Sequence, residues 1–122
     1  MADNKKVNSG ALWYVPLGVT TAVGVVVGRR YKTDAAGLVT FTLPATASTG
    51  NQFGVTGYGS GGWQIAQNAN QVIRDSAGAT SVGVAGHLDS ASRYDSVLLE
   101  CAVAGASTEW IIISGRGSPT MT

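Results

Sequence analysis

Apolar and polar side chains alternate over short stretches of this chain, and no stretch repeats apolar residues every three to four positions as an amphipathic helix does. In residues 38–43, Val39, Phe41 and Leu43 fall on one face of an extended strand. Pro44 ends this strand because proline has no N–H for the ladder. We predict further strands at residues 52–58, 63–67, 71–74, 81–85, 96–103 and 108–114.

The last two of these segments have the strongest strand pattern. The predicted inward face of residues 96–103 consists of Val97, Leu99, Cys101 and Val103. A short turn at residues 104–107 joins this segment to the next one as a hairpin. The next segment contains an apolar run on both faces, which is typical of a strand in a sheet covered from each side. Three isoleucines of that run are candidates for contacts between subunits: Ile111, Ile112 and Ile113.

The number and spacing of the segments predict an all-β fold. Roughly eight to ten short strands indicate an antiparallel β-sandwich or a small barrel. A length of 122 residues suits one domain, which we place at residues 11–122. Residues 1–10 are polar and end in glycine, so we expect a flexible arm there. Lys5 and Lys6 in this arm are candidates for a tether to a larger assembly.

Residues 11–28 form the most apolar segment and have basic pairs on both sides, so a signal peptide or a short membrane span has to be considered. Pro16 and several glycines interrupt the segment, and its apolar residues are mostly valines. Valine-rich segments punctuated by glycine favour strands. We therefore predict strands here and no membrane insertion.

Charge is scarce, since charged residues make up 12% of the chain, about half the usual share. Strand edges with so few charges would aggregate unless other subunits cover them, which favours a symmetric oligomer. The net charge of +1 and the scattered basic residues argue against nucleic-acid binding. Cys101 lies in an apolar segment and is expected to be a buried, inert thiol.

Catalytic motifs are missing from the sequence. His87 has Asp89, Ser90 and Asp95 near it, but no Gly-x-Ser-x-Gly motif accompanies a serine, histidine and aspartate arrangement. Glu100 and Glu109 lie on neighbouring predicted strands, and exposed side chains explain them better than a glycosidase pair. Neither the single histidine nor the single cysteine has metal-ligand spacing. We expect no enzyme activity, no metal and no cofactor.

Aromatic residues in polar loops offer one binding chemistry. Tyr58 and Tyr94 lie beside the loops at residues 57–62 and 87–95, where a tyrosine ring could contact a sugar. Trp63 and Trp110 follow the strand pattern and are expected in the core. Tyr58 and Tyr94 are therefore the candidate glycan contacts.

Residues 38–73 resemble a repeat found in bacteriophage tail-fibre and related virion proteins. The resemblance rests on Thr-Leu-Pro-Ala-Thr at residues 42–46, Gly-Gly-Trp-Gln-Ile-Ala-Gln-Asn-Ala at 61–69 and Gln-Val-Ile at 71–73. It extends more weakly over residues 11–122, and the loop at 74–80 departs from the family pattern.

The resemblance implies an exposed, trimeric, β-rich component of the virion surface, on either the head or the tail. A short fibre and a head-decoration or cement protein both fit, with other virion proteins as partners. A receptor-binding module for host surface glycan is the alternative function. The resemblance implies no catalytic residues.

Overall fold

The computed structural model describes residues 12–122, which contain strands and turns but no helix. The strands are β1 (Trp13–Pro16), β2 (Ala22–Gly24), β3 (Arg29–Lys32), β4 (Val39–Thr42), β5 (Gln52–Thr56), β6 (Trp63–Ala66), β7 (Val72–Asp75), β8 (Gly78–Ala79), β9 (His87–Asp89), β10 (Ser96–Val103), β11 (Glu109–Arg116) and β12 (Thr120–Met121). The predicted arm at residues 1–10, with Lys5 and Lys6, lies outside the described residues.

Two sheets form the fold. The larger has the order β1-β3-β5-β10-β11-β7-β8, and the smaller has the order β12-β9-β6-β4-β2. One core cluster contains buried residues of both sheets, and the Tyr31 and Phe41 rings meet across it at 5.4 Å between centroids. The prediction of an all-β fold is confirmed, and the arrangement fits a sandwich.

The prediction of antiparallel sheets is wrong, because half of the ten strand pairings within residues 12–122 are parallel. From β1 to β6 the chain alternates between the two sheets, so each strand pairs with the strand two positions later in the chain. Parallel neighbours need a long crossover, and here a strand of the opposite sheet supplies it. The alternation of apolar and polar side chains does not indicate whether neighbouring strands run parallel or antiparallel.

Most predicted strands are confirmed, with boundaries that differ by one or two residues. Residues 13–16 and 22–24 are strands, as expected for the apolar segment, and no helix in the described range could cross a membrane. The strand predicted at 81–85 is wrong, since these residues form turns. The short strands β3, β8, β9 and β12 escaped prediction.

The core follows the predicted faces. The largest fully buried side chains include Trp63, Trp110, Phe41 and Phe53. Each indole N–H has an acceptor: Trp63 donates to the carbonyl of Asp95 at 2.8 Å, and Trp110 donates to the Thr108 hydroxyl at 3.0 Å. Both tryptophans therefore bury their rings without leaving a polar group unpaired.

A buried polar network explains Gln67, Asn68 and Gln71 of the 61–73 motif. The Gln67 amide nitrogen donates to the carbonyls of Gln71, Ser81 and Gly83. Gln71 in turn donates to the Pro44 carbonyl at 2.8 Å and accepts from the Asn68 N–H at 2.7 Å. These hydrogen bonds hold the loops beside β6 and β7 in place, so the motif residues have a structural role in this fold.

The β10–β11 hairpin leaves one predicted core position and two of the three isoleucines exposed. The register shifts between Cys101 and Val103, and Val103 is 46% exposed instead of buried. On β11, Ile112 packs against the core, whereas Ile111 and Ile113 are exposed. Within the described residues, the strand is therefore covered on one face only.

Candidate functional site: a basic surface with two tyrosines

The structure brings together the two predicted glycan contacts, which lie 36 residues apart in the chain. Tyr58 follows β5 and Tyr94 precedes β10, and these strands are antiparallel neighbours. The Tyr94 N–H donates to the Gly57 carbonyl at 2.8 Å, which extends the pairing beyond the strands. As a result the two rings lie 6.2 Å apart between centroids, and both are about half exposed.

Two basic side chains complete this group, which we call the tyrosine cluster: Tyr58, Tyr94, Lys32 and Arg93. The Lys32 ammonium lies 4.6 Å from the centroid of the Tyr58 ring. The Arg93 guanidinium lies 5.0 Å from the Tyr94 ring and 5.7 Å from the Tyr58 ring, and its Nε donates to the Tyr58 carbonyl at 3.0 Å. These cation–π distances are short enough to orient both cations on the rings.

The loop before β10 holds Tyr94 in an unusual backbone conformation. Its φ angle is +76°, a left-handed value that a residue with a bulky side chain seldom adopts. The buried carboxylate of Asp95 stabilises the turn by accepting hydrogen bonds from the N–H groups of Ala91 and Ser92 at 2.8 and 3.1 Å. Strained backbone conformations of this kind cluster at active sites and ligand clamps.

A groove of about 360 Å³ runs over the outer face of the larger sheet. Its lining includes Arg30 on β3, Thr56 on β5, Ser96 on β10, and Ser114 and Arg116 on β11. We call it the basic groove. Lys32 pairs with Thr56 in the sheet register and its ammonium lies over the Tyr58 ring, so the groove leads to the tyrosine cluster.

A glycine gives the groove its floor. A Cβ atom at Gly54 would lie 3.3 Å from Cγ of Arg30 and 3.4 Å from the Val97 carbonyl oxygen. The missing side chain lets the Arg30 stem lie across β5, where its Nη1 donates to the Thr56 hydroxyl at 3.2 Å. The same guanidinium group also lies against Tyr14, with 4.9 Å between Cζ and the ring centroid.

The cations on this face have no carboxylate partner among residues 12–122. The ion pairs of this part of the chain are Arg74–Glu109 and His87–Asp89. Glu100, on the same face, accepts a hydrogen bond from Gln52 at 2.7 Å. The outer face therefore carries, together with the carboxylate of Glu100, four cations that form no ion pair within residues 12–122: Arg30, Lys32, Arg93 and Arg116.

Sequence reasoning identified the tyrosines but missed these four cations. They are spread over residues 30–116, and only the sheet register brings them to one surface: Lys32 pairs with Thr56, Thr56 with Ser96, and Ser96 with Arg116. The alternation of Arg30, Tyr31 and Lys32 was the available signal, because a buried tyrosine places both neighbours outside.

The other candidate groups, which were considered for catalysis, do not come together in one site. The Nδ1 atom of His87 lies 3.0 Å from the Asp89 carboxylate, and no serine hydroxyl contacts this histidine in the described part of the chain. The Ser90 hydroxyl instead accepts from the backbone N–H of Trp63 at 2.9 Å. Glu109 bonds to Arg74 on β7, away from the β5 side of Glu100.

Cys101 is fully buried, as expected, and its burial raises the pKa of the thiol. A raised pKa keeps the thiol protonated at neutral pH and makes it a poor nucleophile. Across residues 12–122, no group of three or more histidine, cysteine or acidic side chains could hold a metal ion.

A scan against protein-family models found no match for the chain, and a search of curated proteins found none either. The chemistry of the surface is therefore the main guide to function.

Proposed function

We propose that the chain is a non-catalytic structural module on the surface of a bacteriophage particle, and that its tyrosine cluster contacts host surface glycan. The observation that carries the glycan contact is the meeting of Tyr58 and Tyr94 on one exposed surface beside two cations. Such a surface offers ring edges, phenol oxygens and charge to a sugar chain. The virion location rests on the resemblance of residues 38–73 to the tail-fibre repeat.

A glycan array probed with the full chain tests the contact. Replacing Tyr94 by alanine removes one ring, so binding to the recognised glycans should fall at least about tenfold, as for a buried aromatic contact. Tyr94→Phe keeps the ring and should retain most of the binding. Val84→Ala, in an exposed loop away from β5 and β10, is the control for a surface substitution. An array without any signal for the folded chain would contradict the glycan contact.

Immunogold labelling of intact particles with an antibody against the chain tests the location. Label at a tail tip would favour a short fibre, and label over the head would favour a decoration protein. Particles without label would overturn the proposed virion role.

A purely structural role, as a fibre or cement protein, is the second candidate. It is favoured by exposed apolar side chains on and beside the hairpin, namely Val103, Ile111 and Ile113. Ile112 faces the chain's own core, so the outward pair Ile111 and Ile113 is the part of the run available to another subunit.

Light scattering coupled to gel filtration tests this candidate. If copies associate as a trimer through this patch, the double variant Ile111→Lys, Ile113→Lys should shift the mass to that of a monomer. Exposed Val82 and Val84 lie in a different loop, and lysines there are the matched control. A wild-type monomer at all concentrations would contradict the second candidate.

A further inference from the structure

The two ring faces that a neutral sugar would stack on already have cationic neighbours. Lys32 lies over the Tyr58 ring, and Arg93 lies near both rings. A sugar that stacked there would have to displace these side chains and lose the cation–π contacts. What the tyrosine cluster offers without rearrangement is positive charge beside phenol groups, and this favours a ligand that carries negative charge.

The basic groove continues the same chemistry. The Arg30 guanidinium has five N–H donors, of which Nη1 donates to Thr56, while the Nε atom is buried and has no hydrogen-bond partner within residues 12–122. Hydroxyl groups of Thr56, Ser96 and Ser114 line the groove between Arg30 and Arg116. An arginine guanidinium can donate two parallel hydrogen bonds to a carboxylate. Together with the hydroxyl groups, the arginines therefore suit a ligand in which carboxylates alternate with hydroxyls.

The spacing of the charges indicates a chain-like ligand. Lys32 and Arg116 lie at the two ends of one register row that crosses β3, β5, β10 and β11. Three strand spacings separate their backbones, about 14 Å. An oligosaccharide is long enough to follow this row.

We infer that the basic groove and the tyrosine cluster together bind an acidic polysaccharide of the polyuronate type, with Arg30 and Arg116 pairing with its carboxylates. This rests on the proposed function, because it specifies the class of glycan at the same surface. Charge complementarity is the reason to choose a polyanion, and the hydroxyl lining is the reason to choose a sugar over nucleic acid. The net charge of +1 is also small for a nucleic-acid-binding domain.

The test uses the full chain and polygalacturonate oligosaccharides in isothermal titration calorimetry. Oligosaccharides should bind, galacturonic acid monomer should not compete, and the fully methyl-esterified oligosaccharide, which has no charge, should bind at least about tenfold more weakly. Arg30→Gln and Arg116→Gln should each weaken binding about tenfold. Arg74→Gln is the matched control, since Arg74 is paired with Glu109 on another part of the sheet.

A variant that keeps every charge distinguishes binding in the groove from nonspecific electrostatic attraction. Gly54→Val fills the floor and displaces the Arg30 stem, so polygalacturonate binding should weaken several-fold while circular dichroism stays that of the wild type. Binding that is unaffected by Arg30→Gln, Arg116→Gln and Gly54→Val would overturn the inference.

The remaining outcomes distinguish the two proposals. Equal binding of charged and esterified oligosaccharides, lost in Tyr94→Ala, would overturn the acidic specificity and leave the glycan contact standing. Equally tight binding of a DNA oligonucleotide of the same charge would also overturn the inference. If Arg116→Gln changes only the mass of the oligomer, the groove is a contact between copies, and the inference fails.

Discussion

Gln71 is completely buried, and both ends of its amide group are hydrogen-bonded to backbone. The buried polar side chains of this network are held as firmly as the apolar side chains of the core, because each buried donor or acceptor in the network has a partner. The sequence shows Gln67, Asn68 and Gln71 as a motif, but propensity alone gives no reason to bury an amide. Their role became visible only with the carbonyls that they bind.

Replacing Gln71 by alanine should lower the free energy of unfolding by about 2–3 kcal/mol, since the Pro44 carbonyl and the Asn68 N–H would lose their buried partner. Urea denaturation measures this change. Gln64→Ala, on the half-buried face of β6, is the control and should cost less than about 1 kcal/mol. Equal effects of the two substitutions would contradict the structural role of Gln71.

Cys101 gives a pH-dependent contribution to stability. Burial raises the pKa of its thiol in the folded state, so the unfolded chain releases this proton at lower pH than the folded chain does. The contribution is complete below the unfolded pKa of about 8.5 and is lost as pH rises through the folded value. Between pH 7.5 and 10, unfolding free energy should fall more steeply for the wild type than for Cys101→Ala. Parallel pH profiles would contradict this assignment.

At the scale of elements, period-two patterns predicted the strands that have one fully buried face. Strands β4, β5 and β6 are of this kind. The segment at 81–85 has the same pattern but only small or exposed residues, and its carbonyls instead accept hydrogen bonds from Gln67. Strand β3 was not predicted, because its single apolar residue, Tyr31, is too short a pattern to indicate a strand. Strand direction could not be predicted, since parallel and antiparallel strands share the period of two.

The turn before β6 depends on a close approach of two backbones. A Cβ atom at Gly61 would lie 2.0 Å from the Gly37 carbonyl oxygen, so a side chain there forces the two segments apart. Gly61→Ala should lower the free energy of unfolding by more than about 2 kcal/mol. Gly24→Ala, where no atom lies within 4 Å of the added Cβ, should change it by less than about 0.5 kcal/mol. Thermal or urea denaturation of both variants measures the difference, and a stable Gly61→Ala protein would contradict this packing.

On the scale of the whole molecule, the candidate site is a property of the larger sheet. Tyr58 and Tyr94 could be predicted from aromatic residues in polar loops, because exposure follows from local sequence. The cations could not, because Arg30 and Arg116 become neighbours of one groove only through the order β3-β5-β10-β11. Although the chain has few charged residues, its positive charges are unevenly distributed, because half of its eight basic residues lie on this one face.

The most direct test of the central claim is a ¹H–¹⁵N chemical-shift titration of the full chain with polygalacturonate oligosaccharides. The outer face of the larger sheet should respond, with the largest shifts at Thr56, Tyr58, Tyr94 and Ser96, while the amides of β4 and β6 in the smaller sheet stay in place. Shifts concentrated on the smaller sheet, or saturating oligosaccharide without any shift, would contradict a ligand-binding role for this surface.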